Sequence, residues 1–226
     1  PIFEFGFRAA KRNSKFFDSD WADTAMRIIS GKYKGHRLVA FKASHIRPTT
    51  DRVKESLFNK WTSYVDGAQV LDLFCGTGSL GLEALSRGAA HVDFVDANEK
   101  SLSILRENVK KLGVEESFKI IRKDALSFLK GSKSQYDLIL IDPPFTKVMA
   151  DQVLSQLSSS EVLKEGGLVA IESGTKENIE VSYGSLIRYD RKEFGDKALN
   201  LYELRTLPER TGPDEENTDD IAKSSL

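Results

Sequence analysis

The sequence predicts an α/β domain built on a mostly parallel sheet, and three observations carry that prediction. From Gln69 onward, short runs of nearly continuous apolar residues alternate with amphipathic segments of helical period. The first of these runs ends in a glycine-rich turn, the usual handover from a parallel strand to its crossover helix. Two later β-prone runs, Leu186 to Arg191 and Ala198 to Leu204, flank Gly195-Asp196 as the arms of a terminal antiparallel hairpin would.

Taken in order, residues 1–25 mix aromatics with charges and show no clean period, so they read as an extension without an assigned role. Met26 opens a regular pattern. Arg27 to Ala40 holds two β-prone runs around Ser30-Gly31-Lys32-Tyr33-Lys34-Gly35, which predicts a small basic hairpin turning at its glycines. Arg47-Pro48-Thr49-Thr50 offers a proline stop and a threonine cap. A helix over Asp51 to Trp61 follows, with Val53, Leu57, Phe58 and Trp61 on one face. Residues 26–62 thus form a basic hairpin-and-helix unit, and residues 63–207 the sheet domain.

Within that domain, strand Val70–Phe74 leads through the glycine loop to a helix near Ser79–Arg87. Strand His91–Asp96 leads to helix Glu99–Leu112, strand Phe118–Arg122 to a short helix at Ala125–Leu129, and strand Tyr136–Asp142 to a helix near Val148–Leu157. Strand Leu168–Glu172 and the terminal hairpin complete seven strands. Residues 208–226 carry six acids, two bases and few apolar side chains, a composition that predicts disorder.

Composition bounds the function. The chain has 226 residues, 40% hydrophobic and 30% charged, enough to bury a core unaided. No apolar run nears the ~18–20 residues that span a bilayer. The one cysteine, Cys75, excludes an intrachain disulfide framework and a cysteine-pair zinc site. His36, His45 and His91 lie in no ligand spacing, so no metal is expected. Acidic Glu4 and the lack of a long apolar stretch argue against a secretory signal, which makes the cytoplasm the expected location. No heptad or long apolar edge demands a partner, so a monomer is expected.

Formal net charge is only −1, yet Arg27 to Lys60 holds nine bases against Asp51 and Glu55. Such clustering is either a polyanion footprint or a solvated basic face.

The first chemical signal is Asp72-Leu-Phe-Cys-Gly76-Thr-Gly78-Ser-Leu-Gly81, between the first strand and its helix. Glycines let the backbone approach a ligand, and the helix start offers unpaired N–H groups. Read as G-x-G-x-x-G, the loop fits a dinucleotide, with Asp96 as the acid for ribose hydroxyls. Asp72 argues against that ligand, because a carboxylate four residues before the first glycine would repel a pyrophosphate. A ligand bearing an ammonium and a sulfonium would welcome it, which describes S-adenosylmethionine.

The second signal is Asp142-Pro143-Pro144-Phe145, directly after the apolar strand Leu138 to Ile141. These residue types suit transfer to an exocyclic amine, whose lone pair is delocalised into its ring until the nitrogen pyramidalises. Asp142 and the Pro143 carbonyl would accept its two N–H bonds, stiffened by the prolines. Phe145 would stack on the extruded base.

Lesser candidates stay open between two uses. Asp124-Ala125 could meet the cofactor's adenine, or Asp124 could simply cap its helix, and the two are compatible. Thr49, Thr50, Arg52 and Lys54 could cap and solvate a helix start, or touch a cofactor carboxylate or a phosphate. Cys75 has no histidine nearby in sequence and reads as packing rather than as a nucleophile.

Together, Met26-Arg-Ile-Ile-Ser-Gly-Lys-Tyr-Lys-Gly35, Arg47-Pro-Thr-Thr-Asp-Arg-Val-Lys-Glu-Ser-Leu-Phe-Asn59, the Asp72 loop and Asp142-Pro-Pro-Phe145 resemble the RsmD family of 16S rRNA guanine-N2 methyltransferases. The resemblance covers about Met26 to Leu204. Its sheet and glycine loop are shared by all class I S-adenosylmethionine-dependent methyltransferases, and its basic hairpin with the Arg47 segment is the specific part. It implies a Rossmann-like sheet of seven strands with a reversed terminal hairpin. It implies that Asp72 and Gly76, Thr77 and Gly78 hold the methionine end, Asp96 the ribose, and Asp124-Ala125 the adenine. Phe74 and Ala97 belong to the same cofactor-binding set. Asp142 to Phe145 would hold the target guanine, and Arg27, Lys32, Lys34, Arg37, Arg47, Thr49 and Arg52 the rRNA within an assembling small subunit. Residues before Met26 and after Leu207 have no counterpart in that pattern.

Three other functions remain open from the residues alone. Amino methyltransferases acting on adenine N6 in DNA, or on a protein amide, share D-P-P-[YF]. An idle RNA-binding assembly factor could keep the fold, although the intact acids and glycines argue against decay. A nicotinamide oxidoreductase comes last, for the electrostatic reason above.

Overall fold

The computed structural model describes residues 26–40, 51–144 and 149–205. Its elements are α1 (Asp51–Lys60), α2 (Thr62–Val65), β1 (Gln69–Leu73), α3 (Ser79–Ser86), β2 (His91–Asp96), α4 (Glu99–Leu112), β3 (Ser117–Arg122), α5 (Ala125–Gly131), β4 (Tyr136–Ile141), α6 (Ala150–Ser158), β5 (Leu163–Gly174), β6 (Ser182–Tyr183), β7 (Leu186–Phe194) and β8 (Lys197–Leu204). One sheet runs in the order β3-β2-β1-β4-β5-β8-β7-β6. The first five strands are parallel, while β8, β7 and β6 are antiparallel additions at one side. Among the described residues no helix is long and apolar enough to cross a membrane.

Strand alternation divides the core into two layers. Val70, Val92, Phe94, Leu138 and Leu140 face one side, where they pack with Leu80, Leu82 and Leu85 of α3 and Leu102 and Leu105 of α4. Val53, Leu57 and Phe58 of α1, with Trp61, join this layer, and so do Ile28, Tyr33 and Leu38. Leu71, Leu73, Val95, Ile139 and Ile141 face the other side, against α5 and α6. A sheet covered on both faces explains why its central strands read as continuous apolar runs.

The structure departs from the sequence prediction in four places. The sheet has eight strands, because the two-residue β6 pairs with β7. Strand β5 starts at Leu163 rather than Leu168. Gly166-Gly167 looks like a break in sequence, yet Leu163 still pairs with Tyr136 across a register shift. Helix α2 is unpredicted. At residues 27–40 there is no two-stranded hairpin but a turn closed by one bridge, Arg27 with Arg37. Its reason is physical: amides that a ladder would pair are taken elsewhere. Ile29 and Ser30 donate to the Glu83 carboxylate at 2.7 and 3.1 Å, and Lys32 donates to the Ser86 carbonyl at 2.7 Å. The segment closes on itself only around that bridge, where Ile28, Gly35 and Leu38 donate to the His36, Ile28 and Met26 carbonyls, and its remaining amides dock it on α3.

The topology also places the site. From β1 the chain moves outward to β2 and β3, then crosses back to β4 on the other flank of β1. Such a reversal opens a crevice at the carboxyl ends of the strands. Leu73 pairs with both Val95 and Ile141, so the glycine loop leaves the sheet between Asp96 and Asp142.

Candidate active site

Three of the predicted acids converge at this crevice, on the ends of three adjacent strands. Asp142 and Asp96 lie near enough for their charges to act on Asp72. Asp96 is oriented by the backbone. Its Oδ2 accepts from Gly76 N at 2.9 Å and its Oδ1 from Asn98 N at 2.7 Å. Each carboxylate oxygen has a second lone pair, so the half-exposed Asp96 retains acceptor capacity on both sides.

Asp72 is placed differently from the sequence expectation of a side chain turned to a cationic ligand. It is 2% exposed, and its Oδ2 accepts from Gly81 N at 2.8 Å in the first turn of α3. Burial, followed by the nearby charges of Asp142 and Asp96, pushes its pKa up to about 8 against the opposing pull of the Gly81 amide. The carboxyl thus ties β1 to α3 beneath the loop. Gly81 permits that approach: a Cβ there would lie 2.4 Å from Phe94 Cε1 and 2.9 Å from Asp72 Oδ2. No larger residue fits between β1, β2 and α3.

The loop itself carries backbone strain. Phe74 has φ +62°, a left-handed conformation that costs a bulky residue about 1–3 kcal/mol and collects at functional sites. Cys75 is buried in the core layer, where desolvation and the Asp72 and Asp96 charges push its thiol well above the ordinary range. That matches the packing role expected of it. Thr77 and Gly78 are buried, and the Thr77 carbonyl accepts from Asn108 Nδ2 at 3.0 Å. Ala97 is exposed just beyond Asp96. Asp124 caps α5, its Oδ1 accepting from Ser127 N at 3.0 Å, and Ala125 is buried behind it.

At the end of β4, Asp142 is half-buried, Pro143 buried and Pro144 exposed. Phe145, Arg47 and Thr49 lie outside the described residues, as does the Thr50 cap. The basic set is only partly available to a polyanion. Arg27 pairs with Asp51 at 2.9 Å, and Lys32 pairs with both Glu115 and Glu116 at 3.0 Å. Lys34, Arg37 and Arg52 are exposed. Lys54 is fully buried, donates to the Arg27 carbonyl and lies 4.0 Å from Glu83.

Several residues that sequence reasoning passed over organise this region. Glu83 is fully buried and gathers Ile29 N, Ser30 N, Arg87 Nε and the Lys54 ammonium. Its signal was present, since one acid among Leu80, Leu82, Ala84 and Leu85 marks a buried helix whose charge needs partners. Asn108, also fully buried, accepts from Val39 N at 2.7 Å and donates to the Val39 and Thr77 carbonyls. Glu172 and Lys197 form a buried pair at 2.9 Å where β5 meets β8. Neither of these was visible locally, because each depends on segments far apart in the chain.

Residues 26–203 match the family described as "conserved hypothetical protein 95". Protein YlbH of Bacillus subtilis (strain 168) is 34% identical over 183 residues, 80% of this chain and 100% of that protein. Ribosomal RNA small subunit methyltransferase D of Haemophilus influenzae is 38% identical over 151 residues, 66% of this chain and 78% of that protein. Among solved structures, yhhF from Escherichia coli superposes with TM-score 0.72 at 28% identity, covering 81% of this chain and 99% of that one.

Proposed function

We propose, from the premise that the chain belongs to the conserved hypothetical protein 95 family, that it is an S-adenosylmethionine-dependent methyltransferase acting on the exocyclic N2 amine of a guanine in small-subunit ribosomal RNA. The relative from Haemophilus influenzae, named for small-subunit rRNA methylation, supports the substrate. The observation that carries the chemistry is the strand level at which Asp96 and Asp142 flank the glycine loop.

The residues present fit the cofactor. Asp96 keeps a lone pair on each oriented oxygen for the two ribose hydroxyls. Ser79 Oγ, buried at the start of α3, has no hydrogen-bond partner among the described residues and offers a donor to a polar group in the loop. Residues 76–78 would line the methionine end, with the Asp72 carboxyl beneath them, and Asp124-Ala125 the adenine. When bound, S-adenosylmethionine supplies an electrophilic methyl group on a positively charged sulfur.

The chain's own residues do the rest. Asp142 and the Pro143 carbonyl accept the two N–H bonds of the amine and favour its pyramidal form, which frees the lone pair for in-line attack. Orientation of donor and amine can contribute up to ~7–11 kcal/mol of the acceleration. The methylated nitrogen is then strongly acidic, and Asp142 or water takes its proton. Phe145 stacks on the base, and Lys34, Arg37, Arg47, Thr49 and Arg52, with Arg27 and Lys32, contact rRNA phosphates in an assembling subunit.

The test is incubation with labelled S-adenosylmethionine and small subunits from cells lacking the endogenous enzyme, followed by nucleoside analysis. Label in N2-methylguanosine supports the reading. Label in N6-methyladenosine, or cofactor binding without any labelled nucleoside, overturns it.

A further inference from the structure

The end of β5 carries a polar group that the reaction above does not use. Ile141 and Ile171 are register partners, so Asp142 and Glu172 follow at the same level on adjacent strands. Glu172 is 2% exposed and continues the face of Leu168 and Ala170. Its Oε2 accepts from Lys197 Nζ at 2.9 Å. Its Oε1 is buried and has no hydrogen-bond partner among the described residues.

A buried acceptor left without a donor is costly, and such an atom in a native protein calls for an explanation. Stapling β5 to β8 is a weak one. Those strands already pair from Leu168 to Gly174, and an apolar pair of equal volume would hold them at least as well. A donor on a bound ligand explains both the burial and the lone pairs that no described residue fills.

Resting on the proposed function, we infer that Glu172 Oε1 accepts the N1–H of the target guanine while Asp142 and the Pro143 carbonyl hold its N2 amine. The guanine edge presents two adjacent donors, N1–H and N2–H, and two carboxylates on neighbouring strands present adjacent acceptors. Adenine places an acceptor, N1, beside its N6 amine and would meet the Glu172 oxygen lone pair to lone pair. Glu172 therefore selects guanine over adenine by chemistry, whatever the surrounding RNA sequence. Sites that hydrogen-bond a substrate group reject an analogue lacking it far more strongly than apolar pockets do. Lys197 sets the geometry by holding Oε2 and presenting Oε1.

The experiment replaces the mapped target nucleotide with 2-aminopurine, in ligated RNA reassembled into small subunits. That base keeps the N2 amine but has an acceptor at N1. The wild-type protein is expected to methylate guanine with kcat/KM at least tenfold above 2-aminopurine. In Glu172→Gln, Lys197 claims the amide oxygen and the –NH2 replaces Oε1. The preference should then reverse toward 2-aminopurine, with cofactor Kd unchanged within twofold. Equal kcat/KM on both bases in the wild type overturns the inference without any variant. An equal loss on both bases in Glu172→Gln also overturns it, since that marks a purely structural role. A wild-type protein that makes no N2-methylguanosine at all removes the functional reading and the inference with it, a result distinct from the other two.

Discussion

Asn108 of α4 donates to the carbonyl of Thr77 at 3.0 Å while the same side-chain amide holds both backbone groups of Val39. One buried side chain thus fastens the glycine loop and the amino-terminal basic segment to a single helix. Substituting Asn108→Leu would strand three backbone groups in the core, at about 1–3 kcal/mol for each one left unsatisfied. Denaturant titration should show a loss of about 3 kcal/mol, and calorimetric titration should show weaker cofactor binding. Unchanged cofactor affinity would mean that the loop keeps its shape without this anchor.

Asp142 and Asp96 should separate turnover from affinity. Removing a preorganised acceptor at the reacting amine, Asp142→Ala, is expected to lower kcat roughly 100- to 1,000-fold with little change in cofactor Kd. Asp96→Ala should instead raise cofactor Kd first, by at least about tenfold, or ~1.4 kcal/mol. Near-normal turnover in Asp142→Ala would move the amine site elsewhere.

The buried Asp72 makes stability fall with pH over a defined window. Its folded pKa, pushed up to about 8 chiefly by burial, stands far above the ordinary aspartate range. The native state therefore binds the proton more tightly than the unfolded chain. Its stabilising contribution is complete below about pH 4 and is lost as pH rises toward 8, at up to ~1.4 kcal/mol per pH unit. Asp72→Asn keeps a neutral acceptor for Gly81 and removes the titration. Urea melts at pH 5 and pH 8.5 should show the variant gaining on the wild type as pH rises; a constant difference would place the titration elsewhere.

Gly31 holds the basic segment against α3. Its φ is +83°, and a Cβ there would lie 1.7 Å from the Ser86 carbonyl oxygen. Gly31→Ala must push the segment off the helix, at a cost of about 1–3 kcal/mol. Methylation of small subunits should fall at least tenfold while cofactor Kd changes less than threefold. Loss of both together would show that the segment supports the cofactor loop as much as the RNA.

Much of this architecture is readable from local pattern. Val70 to Leu73, His91 to Asp96 and Tyr136 to Ile141 announce buried parallel strands because apolar residues persist on both faces. Gly195-Asp196 marks the terminal hairpin, which forms as β7 and β8. Asp96 is readable too, since an acid at the end of the second strand needs only topology to reach the glycine loop. The docking of residues 27–40 on α3 is not, because Glu83, more than fifty residues away, takes the Ile29 and Ser30 amides. The apolar run marks only Leu168 to Glu172 of β5, and pairing with β4 carries the strand back through Gly166-Gly167 to Leu163.

By itself the sequence determined the strand–helix alternation, the position of the glycine loop and the three acids at strand ends. Those follow from side-chain period and turn chemistry within a few neighbouring residues. Tertiary structure alone decided which polar groups are buried and with whom. It turned Asp72 inward to Gly81, drew Lys54, Arg87 and the Ile29-Ser30 amides onto Glu83, and left Glu172 with one partner for two oxygens among the described residues. The reason is desolvation: a buried charge or amide must find its partner wherever packing brings one, and packing joins segments that local pattern cannot relate.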